Sequence, residues 1–238
     1  MKLWITALLL LATGSFWLTP SSVHGQAHNE YPFYNSEDLL ADASLFTPWS
    51  QAVQRHSSQR EQLLACLNPS QSSEQACKGR LRTFNRAMTK AKELSTDDQI
   101  ELVNFYINRS NYKDDRRQRI YDEHGETVEI IRNHWTTLYD FLRKGGDCED
   151  YATSKYFMLR ELGFEADNLR VVVTYERQLR GKHAVLAVRR SDGSIWLLDS
   201  DNSVKKRSHT GYRYIYAMNE NAVWDHRPDY QGADLTGN

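Results

Sequence analysis

The stretch Gly145-Gly146-Asp147-Cys148-Glu149-Asp150-Tyr151-Ala152-Thr153-Ser154-Lys155-Tyr156-Phe157-Met158-Leu159-Arg160-Glu161-Leu162-Gly163 reads as one complete helix with its own start and stop signals. The two glycines break whatever precedes it, Asp147 is a good N-cap, and Gly163 ends it. Tyr151, Ala152, Tyr156, Met158, Leu159 and Leu162 spread apolar side chains over a broad face, which predicts a central helix. After it the period changes. Leu169 to Tyr175, His183 to Arg190 and Ser194 to Ser200 are rich in Val, Leu, Ile and Trp and predict strands. Ser191-Asp192-Gly193 predicts a hairpin joining the last two. Helices followed by a strand meander predict an α+β fold, with the Asp147 helix packed on an antiparallel sheet.

Working outward, Trp49 to Leu67, Cys77 to Leu94 and Thr96 to Asn108 carry apolar residues at three- and four-residue spacing among charges, the last behind a Ser95-Thr96-Asp97 cap. Thr136 to Leu142 predicts a short helix, and the charged stretch Asn111 to Asn133, with its Glu123-His124-Gly125 turn signal, a small hairpin or an ordered loop. Residues 49–230 thus read as a single domain, with a helical part over 49–145 and the central helix and sheet over 146–230. Residues 26–48, punctuated by Pro32 and Pro48, read as an extended leader. Residues 1–25 have the form of a signal peptide: Lys2, the apolar run Leu3 to Ala12, then Gly14, Pro20 and the small-residue stretch ending at Gly25. Thr6, Thr13, Gly14 and Ser15 make the run a poor permanent span, and no stable membrane insertion is expected after its removal. With 30 basic against 31 acidic residues the chain carries a net charge of −1, which offers nothing to a nucleic-acid partner.

In an exported chain, cysteines that can meet tend to pair. Cys66 and Cys77 flank a polar loop between two helical patterns, which suits a local disulfide and leaves Cys148 as the odd thiol. Cys148 stands in the first turn of its helix, where unpaired backbone N–H groups and the helix dipole favour an anion, so it is the candidate nucleophile; the plainer alternative is a small buried residue. A nucleophilic thiolate needs a base in reach and a third group that holds the base. His183 opens one strand and Asp199 closes the next. A three-residue loop with Gly193 left-handed pairs Arg190 with Ser194 and sets Asp199 opposite Val185, on the face of His183. A two-residue loop turns Ser200 towards His183 instead, with Asp201 as the fallback orienter. Asp147, Glu149 and Asp150 crowd the same helix start. Capping explains them simply, yet three anions oppose ionisation of a neighbouring thiol. A bound hard cation removes that conflict, and oxygen-only ligands suit Ca²⁺ better than Zn²⁺.

Gly146-Asp147-Cys148-Glu149-Asp150-Tyr151-Ala152, continued by Lys155-Tyr156 and Leu159 to Gly163, resembles the signature of the LapG-type bacterial transglutaminase-like cysteine proteases. Asn133-His134-Trp135, Phe141-Leu142, Leu169-Arg170, His183 to Ala187 and Trp196 to Asp199 resemble that family too, so the likeness spans Trp135 to Trp224. The resemblance implies a papain-like, transglutaminase-like core, a triad of Cys148, His183 and Asp199, and a calcium site at Asp147, Glu149 and Asp150. It further implies a periplasmic endopeptidase that cuts a large surface adhesin near its N-terminal retention module and so disperses biofilm. Such enzymes are held inactive by the periplasmic domain of an inner-membrane cyclic di-GMP receptor. Two departures stand out. The segment Lys113 to Arg132 is longer than the family pattern, and Ser200-Asp201-Asn202 follows the aspartate where an asparagine is expected directly. The same three residues also suit transglutaminase or amide-processing chemistry, and a fold kept without turnover as a receptor-docking module is the reading from a different class.

Overall fold

The central helix is more deeply enclosed than its apolar face alone requires: every residue from Asp150 to Leu159 is buried. A helix can be covered all round only if other elements surround it, and the chain supplies them on both sides of the sequence. The computed structural model describes residue 33 and residues 39–67, 77–115, 118–121, 127–131, 134–206 and 211–226; residues 1–25 and the turn signal at 123–125 lie outside the described residues. In chain order the elements are β1 (Leu39–Asp42), α1 (Thr47–Ala65), α2 (Leu81–Lys92), α3 (Thr96–Asn108), β2 (Gln118–Tyr121), β3 (Thr127–Ile131), α4 (Leu138–Lys144) and α5 (Cys148–Glu161). They continue with β4 (Leu169–Glu176), β5 (Gly181–Arg189), β6 (Ile195–Leu198), β7 (Val204–Lys206), β8 (Tyr212–Met218) and β9 (Ala222–Asp225). Helix α5 lies between α3 and α4 on one side and strands β4 and β5 on the other. The fold is α+β, as expected.

Seven strands form one sheet in the order β1-β9-β8-β4-β5-β6-β7, every neighbouring pair antiparallel. Strands β4 to β7 make the meander predicted from the sequence. The chain then crosses to the far side of β4 and lays down β8 and β9. The leader's last residues do not stay apart from the domain: β1 pairs with β9, Asp42 opposite Ala222, and closes that edge. Pro48, read as leader, instead stands in the first turn of α1, where its missing N–H costs nothing. The segment between α3 and α4 forms the two-stranded antiparallel ribbon β2-β3.

Aromatic packing fixes α1 against α5. Trp49 is fully buried, stacks on Phe157 at 5.7 Å, meets Tyr156 edge-on at 5.0 Å, and donates its ring N–H to the Asn219 carbonyl at 2.7 Å. Cys66 and Cys77 form a disulfide that joins the end of α1 to the approach to α2. Among the described residues no helix is long and apolar enough to cross a membrane.

Candidate active site

Two glycines decide how the start of α5 is built. Gly145 has φ +76°, and a Cβ there would stand 2.1 Å from the Asn111 carbonyl oxygen; a Cβ on Gly146 would stand 2.1 Å from Asp150 Oδ2. Their bare backbones let the segment after α3 run alongside, with Gly146 N–H donating to Asn111 O at 3.3 Å and Lys113 N–H to Gly146 O at 2.9 Å. That contact carries Asp115 to the tip of the helix. Asp150, almost fully buried, accepts from the Asp147 N–H at 3.2 Å and from the Thr136 N–H at 2.7 Å. It therefore serves as the third-position partner of the N-cap and also ties α5 to the chain entering α4.

Cys148 is the one free cysteine among the described residues, half-buried as the first residue of α5. Its thiol donates to Glu149 Oε2 at 3.2 Å, and the Ala184 N–H on β5 donates to its sulfur. Burial above all, then the charges of Glu149 and Asp147, push the thiol far above its ordinary range, while the Ala184 N–H pulls the other way. The helix terminus, which the sequence offers as a stabiliser of the thiolate, is thus outweighed by burial first and by the neighbouring carboxylates second.

His183 precedes Ala184 on the same strand. The loop between β5 and β6 is the three-residue form: Gly193 N–H donates to Arg190 O, Arg190 N–H to Ser194 O, both at 2.9 Å, and Gly193 has φ +79°. Leu186 then faces Leu198, and the same register sets Asp199 opposite Val185. His183 Nε2 lies 2.8 Å from Asp199 Oδ1 in a buried contact, with Glu176 Oε2 3.9 Å from the same nitrogen. The Asp199 carboxylate also accepts from the Ser200 N–H at 2.6 Å and from the Tyr212 hydroxyl. Asp201 is exposed and accepts from the Ser203 N–H at 2.8 Å, bracing the turn rather than meeting His183.

The three acidic residues expected as metal ligands divide. Asp147 and Glu149 form with Asp115 a group whose oxygens all lie within 4.8 Å of one another, and Asp150 is not part of it. Asp115 accepts from the His134 N–H at 2.6 Å and donates its own N–H to Asp147 Oδ2 at 3.2 Å. Burial and the neighbouring Asp147 push Glu149 up to about 8; burial and the same neighbour push Asp150 up to about 7. Among the described residues Asp147 Oδ1 is buried without a hydrogen-bond partner. A crowded set of oxygen donors, one of them orphaned, fits a hard cation such as calcium.

Asp115, Tyr212 and Glu176 were not reached from the sequence. Asp115 lies 32 residues before Asp147, and only the glycine-enabled contact at Asn111 brings it back. The alternation Tyr212, Tyr214, Tyr216 was the available signal for a strand that carries a hydroxyl to Asp199.

Among curated proteins none matches the chain. Solved structures of LapG from Legionella pneumophila share the fold: the calcium-bound form is 24% identical with a TM-score of 0.53, covering 69% of this chain and 86% of that one. The EGTA-treated form is 23% identical with a TM-score of 0.55, covering 74% and 89%. The family model for bacterial transglutaminase-like cysteine proteinases matches residues 65–227, which contain the Cys148 helix tip and the His183–Asp199 pair alike. The chain belongs to the bacterial transglutaminase-like cysteine proteinase family.

Proposed function

We propose that this cysteine protease is a calcium-dependent endopeptidase of the periplasm that cuts a large surface adhesin near its N-terminus and releases it, with Cys148 as nucleophile, His183 as general base and Asp199 as orienter. One observation carries the reading: the imidazole held at 2.8 Å by Asp199 belongs to the residue whose neighbour, Ala184, donates its N–H to the Cys148 sulfur. With Nε2 engaged by Asp199, Nδ1 is the ring nitrogen that takes the thiol proton. The thiolate attacks the peptide carbonyl, forming a C–S bond as the π electrons move to oxygen. Backbone N–H groups at the tip of α5, that of Cys148 included, face the developing oxyanion. Imidazolium returns its proton to the amine as the C–N bond breaks, and water deprotonated by the same ring resolves the thioester to carboxylate and thiol.

Asp115, Asp147 and Glu149 would hold the calcium ion, with Asp150 fixing Asp147 through its backbone. When bound, the ion supplies positive charge against the carboxylates that keep the thiol neutral. The calcium-bound and EGTA-treated Legionella structures support this part of the reading. Family likeness likewise supports control by the periplasmic domain of an inner-membrane cyclic di-GMP receptor. The test is a deletion strain complemented with wild type or Cys148→Ser, with adhesin measured in the culture supernatant. Wild type releases the adhesin and the folded serine variant does not; release by Cys148→Ser at the wild-type rate sinks the mechanism.

A further inference from the structure

Lys155 is fully buried in the middle of α5, seven residues along from Cys148. Burying an ammonium costs several kcal/mol unless something answers it, and an apolar side chain of like volume usually fills such a place at lower cost. Among the described residues no carboxylate forms an ion pair with it. Its Nζ donates instead to two main-chain oxygens at the end of β6, Asp199 O at 2.7 Å and Leu198 O at 3.5 Å. Asp199 O accepts a second hydrogen bond, from Asn108 Nδ2 of α3 at 2.7 Å, so both lone pairs of that carbonyl are used. Asp199 lies just past the last residue of β6, where the sheet ladder ends. The two side-chain donors grip its peptide on the helix side, while its carboxylate faces the sheet side, towards His183 of β5 and Tyr212 of β8.

We propose that Lys155 is a positioning residue of the site, which through the main chain of Asp199 sets the distance and aim of the orienting carboxylate relative to the helix that carries Cys148. The inference rests on the assignment of Cys148, His183 and Asp199 above. One rigid α-helix holds both the sulfur and the Nζ, so one side chain ties the strand end that bears Asp199 directly to the helix that carries the nucleophile. Burial lowers the Lys155 pKa to about 7, and both its charged and neutral forms keep N–H donors, so the grip persists across neutral pH.

The test uses the mature chain with calcium present, the rate of Cys148 alkylation by iodoacetamide, and the downfield proton resonance of the His183 ring N–H bonded to Asp199. Lys155→Met, close in volume and without a donor, is expected to melt at or above the wild-type temperature, to be alkylated at least 10-fold more slowly, and to shift or lose the His183 resonance. A residue that only packs would leave that resonance in place. Lys155→Leu is read in the same way, and failure of both variants to fold assigns Lys155 to the core and overturns the proposal. Folded Lys155→Met labelled at the wild-type rate, with the resonance unmoved, also overturns it. His183→Ala separates this from the underlying assignment: slow labelling there alongside wild-type labelling of Lys155→Met removes only the role of Lys155. Fast labelling of His183→Ala removes the triad and the role of Lys155 with it.

Discussion

At the scale of single residues, the outcome turns on which carboxylates touch the reacting groups. Asp199 meets His183 at 2.8 Å, whereas Asp201 is exposed and serves a turn. Asp199→Ala is therefore expected to lower turnover by about 10³ or more, in line with removal of an orienting carboxylate elsewhere, while Asp201→Ala stays within about twofold. Turnover on a purified adhesin fragment checks both, and equal losses would contradict the assignment. Glu149 bears on the sulfur itself, accepting the S–H and adding to the charge that holds the thiol neutral. In EGTA above about pH 8, where Glu149 is ionised, Glu149→Gln should lower the thiol pKa and raise the thiolate fraction, so that alkylation speeds up by about 10-fold or more. A slower reaction would mean that Glu149 activates the thiol. These residues were legible because a lone thiol at a helix tip, a strand histidine and a strand-end aspartate are chemically conspicuous. Asp115, Glu176, Tyr212 and the grip of Lys155 were not, since nothing in the spacing says which distant donors and carboxylates a tertiary contact returns to the site.

At the scale of elements, the decisive quantity is the register of β5 against β6. Side chains alternate faces, so one residue of slippage exchanges the buried set for the opposite one. The sequence left two loops open, and Gly193 at φ +79° with Arg190 bonded to Ser194 selects the longer. Deleting Asp192 shortens the loop to two residues and turns Asp199 away from His183. Activity should be lost to below about 1% while circular dichroism still reports the sheet; retained activity would show that β6 re-registers at its other end. The same alternation explains what was read and what was missed. Strands β4 and β5 are runs of Val, Leu and Ala buried between α5 and the far face of the sheet, and such runs announce themselves. Strand β8 mixes three tyrosines with an arginine, and β1 is four residues set in a polar leader, so only their pairing with β4 and β9 makes them strands. Helix α3 was legible from its first residue because Ser95 caps it through the Asp98 N–H.

For the whole molecule, the buried carboxylates link folding to both pH and calcium. Glu149 at about 8 and Asp150 at about 7 bind protons more tightly in the folded chain than their ordinary values of 4.5 and 3.8 allow in the unfolded one. The stability they lend is complete below about pH 4 and is lost as pH rises through 7 to 8. Among the groups that oppose them, two carry large shifts. His226, lowered to about 4 by burial, adds stability with rising pH between about 4 and 6.5, and Lys155, lowered to about 7, does so between about 7 and 10.5. The bare pH profile of melting therefore mixes signs. The difference between calcium and EGTA does not, because His226 and Lys155 lie outside the Asp115, Asp147 and Glu149 group and their contributions cancel. Calcium binds the deprotonated set, so the rise in melting temperature it produces should be small at pH 5 and should grow towards pH 8. At 100-fold excess over Kd the gain is about 2.7 kcal/mol, or roughly 5–10 °C for a chain of this size. Differential scanning calorimetry across pH 5–8 measures it. A calcium increment that is constant with pH would mean that the ion sits away from Glu149, and the neutralisation of the Cys148 neighbourhood would then need another source.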